Sequence, residues 1–165
     1  MTNESEEYRP PSAFLQQLID EEPALAGDAD ADAKLAELIA LTRDADPANR
    51  DWALLLLGQS EVETPEALAA LVAGMDDEEH EAALEALIGV AMRAPALALP
   101  RVRELLDGDT VDSMALEAAA YVADPSLLPL LEAIGREVED DDDVFTTVLA
   151  EAIEACTRGS APEAV

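Results

Sequence analysis

The sequence predicts an all-α fold built from about four helical hairpins behind a leading helix. Ala and Leu, both strong helix formers, supply about a third of the 165 residues. Residues that favour strands are scarce, and the chain has only five aromatic residues: Tyr8, Phe14, Trp52, Tyr121 and Phe145. Apolar residues also recur at helical spacing between short acidic turns, which indicates amphipathic helices.

Proline and aspartate mark the boundaries of the predicted helices. Asp46-Pro47, Thr64-Pro65 and Asp124-Pro125 each combine an N-cap residue with proline at the first helical position. Pro100 and Pro129 lie about one turn inside helices, so each predicts a kink or a later helix start. The predicted helices lie near residues 11–22, 31–43, 47–59, 65–74, 77–93, 96–107, 111–122, 125–137 and 143–157.

The length and the composition predict one soluble domain. We expect a flexible N-terminus over residues 1–10, a single domain over 11–157 and a flexible tail over 158–165. The first residues show neither the basic nor the apolar region of a secretory signal, and no apolar run approaches the length of a membrane span. We therefore expect a cytoplasmic protein.

The charge balance is extreme, with 38 acidic against 9 basic residues and a formal net charge of −29. Such a chain repels phosphate backbones and anionic lipid, so nucleic-acid binding and membrane binding are not expected. Two interpretations stay open. The acidity is typical of proteins from a cell with high internal salt, and it also favours attraction to a basic partner.

An internal repeat runs through the chain. The segments LLLL (54–57), LEAL (84–87), LEAA (116–119) and AEAI (150–153) lie 30, 32 and 34 residues apart. An acidic turn precedes each segment, namely DADPANRD, MDDEEHE, DGDTVD and EDDDDV, and a shorter helix precedes each turn. The repeating unit is therefore a first helix, an acidic turn and a second helix, which buries its apolar faces by stacking on its neighbours.

The segment DPANRDWALLLLG (46–58) resembles the HEAT repeat, in the form found in short bacterial HEAT-like proteins. The resemblance covers roughly residues 30–157 and implies a right-handed α-α superhelix, a HEAT-like solenoid. In that family the turn Asp and the following Arg form a ladder between repeats, and here only Asp46 and Arg50 match the pair. His80 and Asp112 hold the Arg position in the next two repeats, so we expect the ladder to be broken.

The same resemblance places the second helices on the concave face and predicts a row of partner-binding residues there. In the repeat alignment Leu55, Glu85, Glu117 and Glu151 are equivalent, Glu81 and Ser113 lie one turn earlier, and Asp51 lies beside the row. This acidic row suits a basic peptide, a basic protein surface or cations. The alternative is that the carboxylates only keep the face solvated.

Other reactive residues favour structural roles. His80 is the only histidine and Cys156 the only cysteine, so we expect a helix-start residue and a buried packing residue, with no metal or cofactor site. DGDTVD lacks the ligand spacing of a calcium loop, and EDDDDV fits a solvated turn. Trp52 is interpreted as core filler in preference to a binding hot spot, and Arg93, Arg101 and Arg103 as charge compensation in preference to an anion site.

The leading interpretation is a non-enzymatic protein-interaction or scaffold module that binds a protein or peptide, possibly a basic one. An immunity or inhibitor protein that neutralises a basic target is one form of it. Two alternatives follow from the resemblance alone. HEAT-like alkylpurine glycosylases process nucleic acid, but they need a basic groove. HEAT-like phycobilin lyases bind a chromophore, and no feature of the sequence indicates that chemistry.

Overall fold

The computed structural model describes residues 8–138 and 143–162, and within these ranges the chain forms nine α-helices and one 3-10 turn, with no strand. The prediction of an all-helical fold is confirmed. The helices are α1 (Ala13–Glu21), α2 (Ala29–Leu41), α3 (Pro47–Gln59), α4 (Pro65–Gly74), α5 (His80–Arg93), α6 (Pro95–Leu106), α7 (Ser113–Val122), α8 (Leu128–Glu137) and α9 (Asp143–Arg158), with the 3-10 turn at Pro125–Leu127.

The chain divides into two compact units, Met1–Ala83 and Leu84–Val165, with the division inside α5. A single domain over residues 11–157 stays a prediction. Parts of three predicted segments lie outside the described residues: 1–7 of the flexible N-terminus, 139–142 of the EDDDDV turn and 163–165 of the tail. Among the described helices, none has the length and apolar character needed to cross a membrane.

The first unit is built from α1 to α4 and the start of α5. Helix α2 packs against both α3 and α4, α3 packs against α4, and α1 packs against α3. Leucines from four helices meet in its core, and burial of each contributes about 1.5–3 kcal/mol relative to exposure. The fully buried ones are Leu15, Leu38, Leu54, Leu57 and Leu71.

The second unit repeats this arrangement with α6 to α9. Helix α6 packs against α7 and α8, and α9 packs against α7 and α8. Helix α7 is buried nearly all round through small residues, which lets neighbouring helices approach closely. Its buried residues are Ala115, Leu116, Ala118, Ala119, Ala120 and Val122. In both units, therefore, a first helix contacts the next first helix as well as its own hairpin partner.

The caps explain most helix starts. The Asp46 side chain accepts from Ala48 N at 2.9 Å and the Thr64 hydroxyl accepts from Ala67 N at 3.2 Å, so α3 and α4 begin at the predicted prolines. Asp124 also caps, but the helix predicted from 125 begins later. Pro125–Leu127 is a 3-10 turn, α8 starts at Leu128, and Pro129 then lies in its first turn, where proline needs no backbone partner. Pro100 lies inside α6, which continues to Leu106.

Helix α5 begins at His80, three residues after the predicted start near residue 77. The delay has a local cause in the acidic turn. Asp77 Oδ1 accepts from the backbone nitrogen of Glu79 at 3.0 Å, and Asp77 N donates to Gly74 O at 3.0 Å. These bonds hold the segment as a turn of the kind that Asp favours, so the helix starts after it.

Candidate interaction surfaces

Arg50, in the first turn of α3, joins two successive acidic turns of the first unit. Its Nε donates to Asp77 Oδ2 at 2.8 Å and its Nη2 donates to Asp77 Oδ1 at 3.0 Å, so the contact is bidentate. Its Nη1 donates to the backbone oxygen of Asp44 at 3.1 Å. The Arg50 and Asp77 side chains are only 11% and 7% exposed. The Arg50 guanidinium holds the pKa of Asp77 below its usual range.

The carboxylate partner of Arg50 therefore comes from the turn of the next repeat. Asp46, the residue that matches the turn Asp of the HEAT pattern, caps α3 instead. His80, which holds the Arg position in the second repeat, is exposed at the start of α5, and Asp112, which holds it in the third, caps α7 by accepting from Met114 N at 2.8 Å. Neither residue offers a guanidinium, so the repeated Arg ladder does not extend to these positions.

Asn49 is a buried polar residue that links α1 to the turn before α3. Its Oδ1 accepts from the backbone nitrogen of Ser12 at 2.9 Å, and its Nδ2 donates to Asp44 Oδ1 at 3.2 Å. The same Asp44 oxygen accepts from Asp46 N at 2.8 Å. Donation from the Asp46 backbone and from Asn49 lowers the pKa of Asp44. These hydrogen bonds join the start of α1 to the acidic turn before α3.

An aromatic pair lies beside the first predicted site residues. The rings of Tyr8 and Trp52 stack with their centroids 6.1 Å apart and an interplanar angle of 27°. Trp52 is partly exposed and its Nε1 is buried without a hydrogen-bond partner among the described residues, so Trp52 is not an ordinary core residue. Tyr8 remains 56% exposed.

Carboxylates surround this pair. The Tyr8 hydroxyl lies within hydrogen-bonding reach of the Asp51 side chain, and partial burial together with Asp51, Glu81 and Asp46 raises the pKa of Tyr8 to about 12. Burial raises the pKa of Asp51, and the negative charge of Glu81 adds to the rise. Glu81 is exposed on α5 and Leu55 is partly exposed on α3. The first unit therefore brings Asp51 and Glu81 together next to an exposed tyrosine.

The second unit brings two further predicted residues together. Glu117 on α7 and Glu151 on α9 are both exposed, and these helices pack against each other. Burial raises the pKa of Glu117, and the nearby charge of Glu151 adds to the rise. Tyr121 lies one helical turn after Glu117 on α7, and burial together with Glu117 and Glu151 raises the pKa of Tyr121. This unit thus also carries carboxylates beside a tyrosine.

The remaining predicted residues of the second unit are less open. Glu85 on α5 and Ser113 at the start of α7 are both partly exposed. Both lie on second helices, where the repeat alignment placed them. Glu85 is on α5 and Ser113 on α7, whereas Glu117 and Glu151 lie on the packed pair α7 and α9.

Cys156 is buried in α9, as predicted, and its Sγ lies 3.6 Å from Ala119 O. Burial, with a contribution from Asp124, raises the pKa of Cys156 to about 11, which suppresses the thiolate. The three arginines weighed as an anion site have internal acceptors. Arg93 donates to Gly89 O at 3.0 Å, Arg101 to Glu104 at 2.8 Å and Arg103 to the Ser126 hydroxyl at 2.6 Å.

Within the described ranges, no group of three or more His, Cys, Asp or Glu side chains is arranged to hold a metal ion. Each unit carries an open groove. One of about 680 Å³ lies in the first unit between the α1–α2 connection and the end of α3, lined by residues that include Leu25, Leu56 and Val62. One of about 310 Å³ lies in the second unit and includes Leu130, Ile134 and Phe145. Neither groove is lined by a predicted partner-binding residue.

Three residues of these surfaces were not predicted from the sequence: Tyr8, Asp77 and Tyr121. Tyr8 lies in a polar segment 44 positions before its stacking partner Trp52, and no local pattern signals such a pairing. Asp77 was grouped with an acidic turn whose members look alike. Tyr121 could have been found, because it follows Glu117 by one helical turn and therefore shares its face.

No protein-family model matches the chain. Protein YibA of Escherichia coli K12 is 27% identical over 112 residues, which is 68% of this chain and 40% of YibA. Protein YibA of Escherichia coli O157:H7 matches with the same values. The chain therefore spans well under half the length of the curated relatives it matches.

The X-ray structure of Escherichia coli YibA resembles the fold. The superposition has a TM-score of 0.63 at 22% sequence identity and covers 84% of this chain and 54% of the YibA chain. At this identity the likeness concerns the fold alone. Over most of the length of this chain, the all-helical fold is similar to that of YibA.

Proposed function

We propose that the chain is a non-enzymatic, HEAT-like helical-repeat protein whose second helices bind a basic segment of a partner protein or peptide. The observation that carries the proposal is the exposed pair of Glu117 and Glu151. The repeat alignment makes these two residues equivalent, and they lie on helices α7 and α9, which pack against each other. A repeated surface position with the same charge is typical of a binding surface that follows the repeats.

The electrostatics of the pair favour a cationic ligand. Burial raises the pKa of Glu117 and the like charge of Glu151 adds to the rise, so both disfavour the ionised carboxylate in the folded state. A lysine or arginine side chain placed between them would relieve the repulsion. The first unit offers a second place of the same kind, because Glu81 and Asp51 lie close to each other.

The helical packing supports a solenoid. In each unit neighbouring first helices contact each other, α2 with α4 and α6 with α8, and in the second unit neighbouring second helices α7 and α9 do so too. Stacked hairpins of this kind build right-handed superhelices in HEAT-like proteins. The likeness to YibA is compatible with the proposal, although it concerns the fold alone.

The net charge bears on the class of partner. At −29 the chain repels phosphate backbones, so a protein partner is favoured over nucleic acid. A stable complex would bury on the order of 1,600 Å² in total, which needs several residues on successive repeats. The proposed contact residues are Asp51, Leu55 and Glu81 in the first unit and Glu85, Ser113, Glu117 and Glu151 in the second.

The experiment is affinity capture from a lysate of the source organism with immobilised protein, eluted at low and at high salt and identified by mass spectrometry. We expect to capture basic proteins that elute as the salt concentration is raised. Exposed carboxylates act mainly through long-range attraction, which salt screens. Immobilised Glu117→Gln/Glu151→Gln protein should retain less of them. Equal retention by both proteins, or retention of nucleic acid that a nuclease removes, would contradict the proposal.

A further inference from the structure

The strongest further feature is the Tyr8–Trp52 pair in the first unit, with Asp51 and Glu81 beside it. We propose that this surface takes an arginine side chain of the partner, stacked on the Tyr8 ring and paired with the Asp51 and Glu81 carboxylates. The inference rests on the proposed function, because it names the group that one part of the binding surface recognises.

The aromatic part of the surface is open. Although one face of Tyr8 lies against Trp52, the residue remains 56% exposed. Stacking on Trp52 fixes the orientation of the ring, so a partner would not have to order it. A guanidinium is flat and weakly hydrated, and it stacks on such rings more readily than an ammonium does.

Two arginines that adjoin this surface in the sequence, Arg50 and Arg9, have carboxylate partners elsewhere. Arg50 precedes Asp51 directly, but its guanidinium is bound to Asp77. Arg9 follows Tyr8 and pairs with Asp20 at 3.1 Å. The groups that act on Asp51 are its own burial, the Tyr8 hydroxyl and further carboxylates, Glu81 first among them. The site therefore has negative charge to offer to a ligand.

The geometry favours arginine over lysine. The Asp51 carboxylate lies within hydrogen-bonding reach of the Tyr8 hydroxyl and the charge of Glu81 acts on both residues. The planar fork of arginine can donate to carboxylates while its face lies on a ring. A lysine ammonium can satisfy the charge, but it gains less from the ring. Among the described residues the Trp52 Nε1 has no hydrogen-bond partner, so within this part of the chain the aromatic pair is not a fully satisfied cluster.

The test uses the full chain and three synthetic peptides of Gly and Ser that carry arginine, lysine or uncharged citrulline at the same positions. Trp52 is the only tryptophan, so its fluorescence reports binding at this surface. We expect the arginine peptide to change the emission and to bind about tenfold more tightly than the lysine peptide, since cation–π contacts are worth up to about 2 kcal/mol. The citrulline peptide should bind least.

Variants separate recognition from folding. Tyr8→Ala and Asp51→Asn should each weaken binding of the arginine peptide about tenfold, whereas Tyr8→Phe keeps the ring and should retain most of the affinity. Circular dichroism checks that each variant is folded. Equal affinity for the arginine and lysine peptides, or wild-type affinity in Tyr8→Ala, would overturn the inference.

The outcome is distinguishable from failure of the proposed function. If Tyr8→Ala binds normally while Glu117→Gln/Glu151→Gln loses binding, the acidic second-helix surface stands and the arginine site is wrong. If only Tyr8→Ala loses binding, the arginine site stands and the proposed role of the Glu117–Glu151 pair is wrong. If no variant affects binding, both are wrong.

Discussion

Arg50 and Asp77 form a bidentate ion pair, with Nε–Oδ2 and Nη2–Oδ1 distances of 2.8 and 3.0 Å, across 27 residues of the chain. The pair connects the acidic turn before α3 with the acidic turn before α5, inside the first unit. It is nearly buried, and Arg50 also binds the Asp44 backbone oxygen. The pair is therefore a structural link between the two turns.

Removal of either partner should destabilise the first unit. Arg50→Ala or Asp77→Asn breaks this nearly buried bidentate pair, and we expect a loss of about 3 kcal/mol in the free energy of unfolding. Urea titration followed by Trp52 fluorescence measures it. Arg101→Ala is the matched control, because Arg101 pairs with Glu104 in an exposed contact worth under about 1 kcal/mol. Equal losses in the two arginine variants would contradict the structural role.

The same pair has a pH signature. Because Arg50 lowers the folded-state pKa of Asp77 below its ordinary 3.8, the stabilisation is fully present above that value and is lost as pH falls through the folded pKa. The stability difference between wild type and Asp77→Asn should therefore be constant near neutrality and shrink only below about pH 4. A difference that shrinks already between neutrality and that pH would show that another group titrates.

The pKa of Glu117 is shifted in the opposite direction from that of Asp77, so its effect on stability has the opposite sign. Its folded-state pKa lies above the ordinary 4.5, so ionisation costs the folded state free energy as pH rises from 4.5 through the folded pKa. Glu117→Gln should be more stable than wild type at neutral pH and should lack that part of the pH dependence. Glu132→Gln on α8 is the control, because it removes the same charge from an exposed first-helix position. Thermal melts across the pH range compare the three proteins.

The net charge predicts salt-dependent stability. Self-repulsion at −29 weakens the compact state at low ionic strength, and added NaCl should raise the melting temperature. Most of the rise should come below about 0.15 M, where the Debye length has already fallen to about 8 Å. A melting temperature that is flat from low salt upward would contradict the repulsion, and a rise confined to molar salt would indicate a salting-out effect instead.

Cys156 should resist thiol reagents in the native protein. It is fully buried and its pKa is raised to about 11, so both access and thiolate formation are suppressed. Labelling with a chromogenic disulfide reagent at mildly alkaline pH should be slow and should accelerate with urea as the second unit opens. Rapid stoichiometric labelling without denaturant would show that α9 does not hold Cys156 as described.

The helix starts were predictable where the sequence combines a capping residue with a proline. Asp46-Pro47 and Thr64-Pro65 marked the starts of α3 and α4 because a cap and a proline act within one turn. The predicted starts of α5 and α8 were wrong, because in both places a turn competes with the first turn of the helix. The Asp77 side chain stabilises a turn by accepting a hydrogen bond from the backbone nitrogen of Glu79, and Pro125–Leu127 forms a 3-10 turn.

The candidate surfaces were only partly predictable. Equivalent positions in the repeat brought Glu117 and Glu151 together, because a helix that repeats every 32 to 34 residues presents the same face each time. Tyr8 and Asn49 act through partners 44 and 37 residues away, Trp52 and Ser12. Such contacts depend on how α1 packs against α3, and no local sequence pattern predicts that packing.

The central claim is that second-helix carboxylates bind a basic segment, and one comparison tests it directly. The triple variant Glu85→Gln/Glu117→Gln/Glu151→Gln changes the second helices, and Glu37→Gln/Glu66→Gln/Glu132→Gln removes the same charge from exposed positions of the first helices. Affinity for a captured basic partner is measured by calorimetry at several salt concentrations. We predict that the second-helix variant binds at least about tenfold more weakly and with a flatter salt dependence, while the first-helix variant stays close to wild type. Equal effects of the two variants, or wild-type affinity and salt slope in the second-helix variant, would contradict the account.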